Sequence, residues 1–169
     1  PAVRNLIETQ RYNPNYTGFT GWNDTPITVA AKFGQRKVME YLIQKGADVN
    51  QKGYWGFTAS AIETALMVGK TQTVVTLLVN NATLPTELHK TDIANQYLLK
   101  AASTNDSWSI EKILTYTEAD INTHGDFMMH TPLHKAVMND GLDATVKLLE
   151  MGATINAVDL NGWTALHYA

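Results

Sequence analysis

The stretch HTPLHKAVMND, His130 to Asp140, decides how the rest of the chain is read. Thr131 can offer a hydroxyl to an orphan backbone N–H of a first helical turn. Pro132 suits the first helical position, where its missing donor costs nothing. A second copy of the pattern, TALHYA, begins at Thr164, 33 residues after Thr131. The template also fits at Thr25 (TPITVAAKFG), Ser60 (SAIETALMVG) and Tyr97 (YLLKAASTND). Five residues past each start stands an alanine: Ala30, Ala65, Ala102, Ala136 and Ala169. Two residues past it stands an aliphatic: Ile27, Ile62, Leu99, Leu133 and Leu166. Seventeen past the four complete starts stands a leucine: Leu42, Leu77, Leu114 and Leu148. Self-similarity at such a period is the signature of a repeat architecture.

Together with KGADVN (Lys45 to Asn50), EADIN (Glu118 to Asn122) and MGATIN (Met151 to Asn156), these residues resemble the ankyrin repeat. The resemblance covers essentially the whole chain. It implies an all-α repeat solenoid of stacked helix-turn-helix units joined by extended hairpin loops. The expected organisation is a single array over 1–169: a partial repeat at 1–16, repeats starting near 17, 51, 86 and 123, and a partial repeat at 157–169. PAVRNLIE opens in the middle of an amphipathic pattern, with Val3, Leu6 and Ile7 on one face, and TALHYA stops in mid-pattern. Both ends therefore read as cut from a longer protein.

The local chemistry points the same way. Thr25, Thr131 and Thr164 stand where N-caps are needed, and Pro26 and Pro132 follow two of them. Val38, Tyr41 and Leu42, like Val74, Leu77 and Leu78, give each second helix an apolar face at spacings of three and four. Gly34 and Gly69 separate the two helices of their repeats; Gly46 and Gly152 end second helices, where a left-handed turn is common. The third unit departs from the pattern. It opens with Tyr97 and Leu98 in place of Thr-Pro, and has Asp106 and Glu118 where glycines are usual. The segment before it, TELHKTDIANQ (Thr86 to Gln96), has no glycine, and Asp92 can cap an early helix start. Helix is expected there in place of a hairpin tip.

The chain has 169 residues, of which 44% are hydrophobic, enough for a continuous core. A net charge of -3 argues against a nucleic-acid or membrane-surface footprint, which needs clustered Lys and Arg. No apolar run approaches the length of a membrane span. There is no cysteine, so disulfides, thiolate metal sites and cysteine nucleophiles are excluded. The absence of cysteine fits an intracellular, cytoplasmic protein.

Neither catalysis nor a cofactor is expected of this segment. The resemblance implies that His134 and His167 bridge backbone groups of adjacent repeats rather than act chemically. His130 and His134 have metal-ligand spacing, but His130 precedes the helix and no carboxylate lies between them, so no metal site is expected. The glycines stand singly at repeat boundaries, leaving no phosphate loop, and there is no G-x-S-x-G elbow. Asp140 and Asp143 read as a solvated turn and helix start.

Function in a solenoid lives in its variable exposed positions. The expected partner-binding residues are Trp22 and Asp24, then Tyr54, Trp55 and Phe57, then Phe127, Met128 and His130 at the loop tips. Lys32, Phe33, Met67, Val68, Met138 and Asn139 join them late in the first helices, with Trp163 expected to tuck onto a hairpin. Aromatic and methionine side chains at such tips are what interaction hot spots are made of. The leading function is therefore a monomeric protein-interaction scaffold that docks a protein on its concave face and loop tips. The alternative is a non-catalytic targeting array of a larger enzyme or of a bacterial effector delivered into a host cell. The resemblance also implies candidate sites for an asparaginyl hydroxylase at Asn50, Asn122 and Asn156, each eight residues after a helix leucine, although hydrogen bonding to the loop backbone is the better reading of such asparagines.

Overall fold

A hydroxyl residue opens each two-helix repeat where the sequence supplies one. In the computed structural model, which describes residues 13–17, 24–52, 59–85 and 88–169, the Thr25 hydroxyl accepts from the Thr28 N–H at 3.2 Å. Ser60 accepts from the Glu63 N–H at 3.3 Å, while the Glu63 carboxylate accepts the Ser60 N–H at 2.5 Å, a reciprocal capping box. Thr131 and His134 make the same exchange, with an imidazole nitrogen in place of the carboxylate. Each such cap is worth about 1 kcal/mol.

The chain divides into two compact units, Pro1–Pro85 and Thr86–Ala169. The described part of the first holds α1 (Pro26–Lys32), α2 (Arg36–Gln44), α3 (Ala61–Val68) and α4 (Thr71–Val79). The second holds α5 (Lys90–Ser103), α6 (Ser107–Tyr116), α7 (Pro132–Met138), α8 (Leu142–Glu150) and a 3-10 turn (Ala165–Tyr168). Within the first unit α1 packs on α2 and α3, and the second helices α2 and α4 pack on each other. The second unit repeats the scheme, with α5 on α7, α6 on α8 and α7 on the 3-10 turn. Small residues on the first helices, Ala30, Ala61, Ala65, Ala101 and Ala136, are buried and let neighbouring helices approach. Ile27, Met39, Leu42, Ile62, Leu77 and Leu78 fill the first core; Leu98, Ile110, Ile113 and Leu148 fill the second. Each such burial contributes about 1.5–3 kcal/mol before ordering costs. These two layers are the all-α repeat fold expected of the pattern. Met39, fully buried on α2, joins a face for which only Val38, Tyr41 and Leu42 were expected. Val3, Leu6 and Ile7 lie outside the described residues.

The third repeat is in a different register from the one its sequence suggests. The turn between first and second helix takes a left-handed residue at Gly34, Gly69, Asn105 and Asp140. Counting back nine from each gives Thr25, Ser60, Gln96 and Thr131, so the third start is Gln96 and not Tyr97. The repeat positions are then held by Leu98, Ala101 and Ile113, all fully buried. Leu99 and Leu114, expected in two of those places, are only half-buried, although Ala102 is buried as well. The left-handed position falls on Asn105, whose short polar side chain tolerates it, rather than on Asp106. Asp106 instead caps α6, its carboxylate accepting from the Ser109 N–H at 3.1 Å. At the end of α6 the left-handed glycine is replaced by an extended Thr117, whose hydroxyl donates to the Ile113 carbonyl.

Helix does replace the hairpin tip before this repeat: α5 starts at Lys90 and runs 14 residues. Its cap position is His89, which makes no side-chain capping bond, and Asp92 lies inside the first turn. There a carboxylate still meets the positive end of the helix dipole.

Loop asparagines tie each unit together. Oδ1 of Asn15 accepts from the Asp48 N–H at 2.7 Å, and Oδ1 of Asn50 from the Thr83 N–H at 2.7 Å. In the second unit Oδ1 of Asn122 accepts from the Thr154 N–H at 2.9 Å. Asn95, on the extended α5, supplies the acceptor for the Asp120 N–H at 2.8 Å. The helical extension thus also takes over a loop contact.

Candidate protein-docking surface

The ends of α1 and α3 expose what the core leaves out. Phe33, just past α1, is 67% exposed, and Met67 in the last turn of α3 is 85% exposed. Val29 and Val68 are also exposed, as is Lys32. Lys32, Met67 and Met138, seven past their repeat starts, point away from the packed face because the 3.6-residue turn places them nearly opposite the buried aliphatic and alanine, and Phe33 and Asn139 follow at the C-caps of their helices. Lys70, ten past Ser60, lays its stem against this patch: a Cβ built on Gly34 would stand 3.1 Å from Lys70 Cγ. Lys70 was not among the residues expected to bind a partner, though its column in the repeat alignment adjoins them. Asp24 is half-buried just ahead of the α1 cap. Trp22, Tyr54, Trp55 and Phe57 lie outside the described residues.

In the second unit the loop before α7 carries Phe127, 86% exposed, with Met128 half-buried and Met129 exposed in a left-handed conformation. Met138 and Asn139 are exposed at the end of α7. Trp163 is partly covered, stacked on His167 at 6.2 Å and tilted against Tyr168 at 5.3 Å.

His130 does not belong to this exposed set. Its ring is buried, with the residue only 6% exposed, and it sits between two carboxylates: Nδ1 is 2.8 Å from Asp126 Oδ2, and Nε2 is 3.6 Å from Asp159 Oδ2. Lys135 Nζ also donates to Asp126 Oδ2, and the Tyr168 hydroxyl donates to Asp159 Oδ2, both at 2.5 Å. Burial pushes the Asp126 carboxyl up, but hydrogen bonds from Lys135 and His130 outweigh it and hold the group far below the usual carboxylate range. The Tyr168 hydroxyl lowers Asp159, helped by the N–H groups of Trp163 and Asn161, and that same bond raises Tyr168. The two carboxylates draw His130 into the interior, and the partner surface is drawn without it.

His134 is scaffolding. Its Nδ1 accepts from Thr131, and its Nε2 donates across to the Trp163 carbonyl at 3.0 Å. His167 repeats the first half of this arrangement with Thr164. Among the described residues no group of three or more His, Asp or Glu is placed to hold a metal ion. None of the described helices is long and apolar enough to cross a membrane. Asn50 and Asn122 commit their amide oxygens to the loop backbone; Asn50 and Asn156 are exposed and Asn122 is half-buried.

Comparison with known proteins matches residues 22–54 to the single ankyrin repeat and residues 98–169 to a model of three ankyrin repeats. The "Probable E3 ubiquitin-protein ligase XBOS32" of Oryza sativa subsp. japonica is 29% identical over 97% of this chain, which spans 38% of that protein. The "Ankyrin repeat and KH domain-containing protein mask-1" of Caenorhabditis elegans is 29% identical over 79% of this chain and 5% of its own length. An ankyrin repeat protein of Rickettsia felis is 49% identical over 30% of this chain and 21% of its own. The chain thus spans well under half of each of these relatives.

Proposed function

Because the chain belongs to the ankyrin-repeat family, we propose that it is a protein-interaction scaffold that docks a protein partner through the exposed ends of its first helices and the loop tips beside them. The observation that carries the reading is the pair Phe33 and Met67, large apolar side chains held in the open by a rigid helical frame. Such side chains are a solubility liability unless something covers them. Lys32 and Val68 border that pair, with Asp24 at the other end of α1; Phe127, Met128, Met138 and Asn139 form the corresponding surface of the second unit, and Trp22, Tyr54, Trp55 and Phe57, outside the described residues, complete the proposed binding set. Ankyrin repeats are interaction modules, and no reacting group is assigned in this one. The whole of 1–169 is proposed as one monomeric, cytoplasmic array, with Asn50, Asn122 and Asn156 as its asparagine-hydroxylation sites.

A pulldown from cell lysate tests the reading, with the wild-type chain beside a Phe33→Ala, Met67→Ala double variant of unchanged circular dichroism. Loss of a specific partner from the folded variant is the expected result. Retention of the same proteins by both sinks the surface assignment.

The second reading, a targeting array of a larger enzyme or host-directed effector, is supported by the name of the rice relative and by the fraction of that protein the chain spans. Similarity to a Rickettsia protein supports the effector form. The sequence of the flanking coding region decides between the readings.

A further inference from the structure

The two units differ sharply in charge. Residues 1–85 hold eight Lys and Arg against five Asp and Glu, a net +3; residues 86–169 hold five against eleven, a net -6. Two of those eight cations, Lys32 and Lys70, stand beside its apolar patch. Among the described residues of that unit, Glu40 is paired with Arg36 at 2.9 Å, and Glu63 serves the Ser60 cap with Lys52 at 3.8 Å. Lys32 and Lys70 make no ion pair with a described residue. Lys32 precedes Phe33 in the chain, and the Lys70 stem crosses Gly34, the residue after Phe33. α1 and α3 lie side by side, so Lys70 also stands two residues beyond Val68 and three beyond Met67. Segments 18–23 (GFTGWN) and 53–58 (GYWGFT), outside the described residues, contain no charged residue in their sequence. Among the described residues, an apolar patch of Phe33, Met67 and Val68 is therefore edged by two ammonium groups that make no ion pair, with Asp24 at the opposite end of α1 from Phe33.

We propose that this face of the first unit receives an acidic, apolar protein segment: aliphatic or aromatic side chains seated on Phe33, Met67 and Val68, bordered by Asp or Glu facing Lys32 and Lys70. The inference rests on the docking function proposed above and adds the chemistry of the partner. Ammonium groups at the rim of an interface favour encounter with, and selection of, carboxylate-bearing partners, while the apolar centre supplies most of the affinity. A basic segment carrying the same apolar residues is repelled.

The test pans a displayed library of random 16-residue peptides against the full 169-residue chain. Recovered peptides are then measured against three variants checked for folding by circular dichroism: Lys32→Glu with Lys70→Glu, Phe33→Ser with Met67→Ser, and Phe127→Ser as a control. The expected result is enrichment of peptides combining Asp or Glu with Leu, Ile or Phe. Their binding should weaken at least about tenfold in either double variant, hold in Phe127→Ser, and weaken with salt as rim charge pairs do. Peptides that need Phe33 and Met67 but are neutral or basic, or indifferent to the charge reversal, overturn the acidic partner and leave the docking face standing. Peptides indifferent to Phe33 and Met67, or no peptides at all, overturn both. Self-association of the chain at micromolar concentration, abolished by the charge reversal, gives the face to the acidic second unit of another copy and likewise overturns the proposal.

Discussion

Nε2 of His134 lies 3.0 Å from the carbonyl oxygen of Trp163, joining the first turn of α7 to the loop 29 residues further on. The ring's other nitrogen is engaged by Thr131, so a single buried side chain serves both its own cap and its neighbour's loop. His134→Ala leaves the Trp163 carbonyl and Thr131 without these partners and opens a cavity. Unsatisfied groups and a lost ring together should cost about 2–4 kcal/mol. Urea melts of the wild-type and variant chains measure it, and a loss below about 1 kcal/mol would show that the bridge contributes little.

The register of the third repeat makes a sharper comparison. Ile113 is fully buried and Leu114 half-buried. Ile113→Ala should destabilise by about 2–5 kcal/mol and Leu114→Ala by less than half as much. Equal losses, or the reverse order, would restore the register in which Leu114 occupies the repeat position.

Why the sequence left that register open is visible in its doublets. Leu98 with Leu99, Ala101 with Ala102, and Ile113 with Leu114 each offer an aliphatic or alanine to either frame. The features that fix frame elsewhere are missing: α5 has replaced the hairpin tip, Thr-Pro is absent, and the left-handed turn falls on Asn105 instead of a glycine. Where cap, proline and glycine coincide, as from Thr25 to Gly34, the helix and its turn could be read directly. The exposed positions Phe33 and Met67 were legible too, because a known frame fixes which residues face outward. The burial of His130 was not. It depends on Asp159, 29 residues away, whose carboxylate points at the ring only once the two loops are adjacent.

Asparagine 50 tests the loop ties. Its Oδ1 accepts from the Thr83 N–H, while its own N–H is held by Asp48 Oδ1 at 2.8 Å. Asn50→Ala removes the acceptor and should cost about 1 kcal/mol. Asn50→Asp keeps an acceptor oxygen and should cost less. Amide hydrogen exchange reads the tie locally: the Thr83 N–H should exchange faster in Asn50→Ala and near its wild-type rate in Asn50→Asp. Unchanged exchange in Asn50→Ala would mean that this bond does not hold the loop.

The last prediction concerns acid. Asp126 and Asp159 both titrate below the ordinary aspartate value of 3.8 in the folded chain. A carboxyl that binds its proton more weakly when folded stabilises the fold above the unfolded value, and that contribution is lost as pH falls through the folded one. The second unit should therefore hold its stability down to about pH 4 and lose it progressively below that. Asp126→Asn removes the ion pair with Lys135 and the acceptor for His130, so the variant should be less stable at pH 7. Its remaining stability should also fall less steeply between pH 4 and pH 2, because one of the depressed groups is gone. Thermal melts of both chains across that range check the slope. Parallel curves would show that the Asp126 carboxylate contributes as little to the folded state as an exposed one.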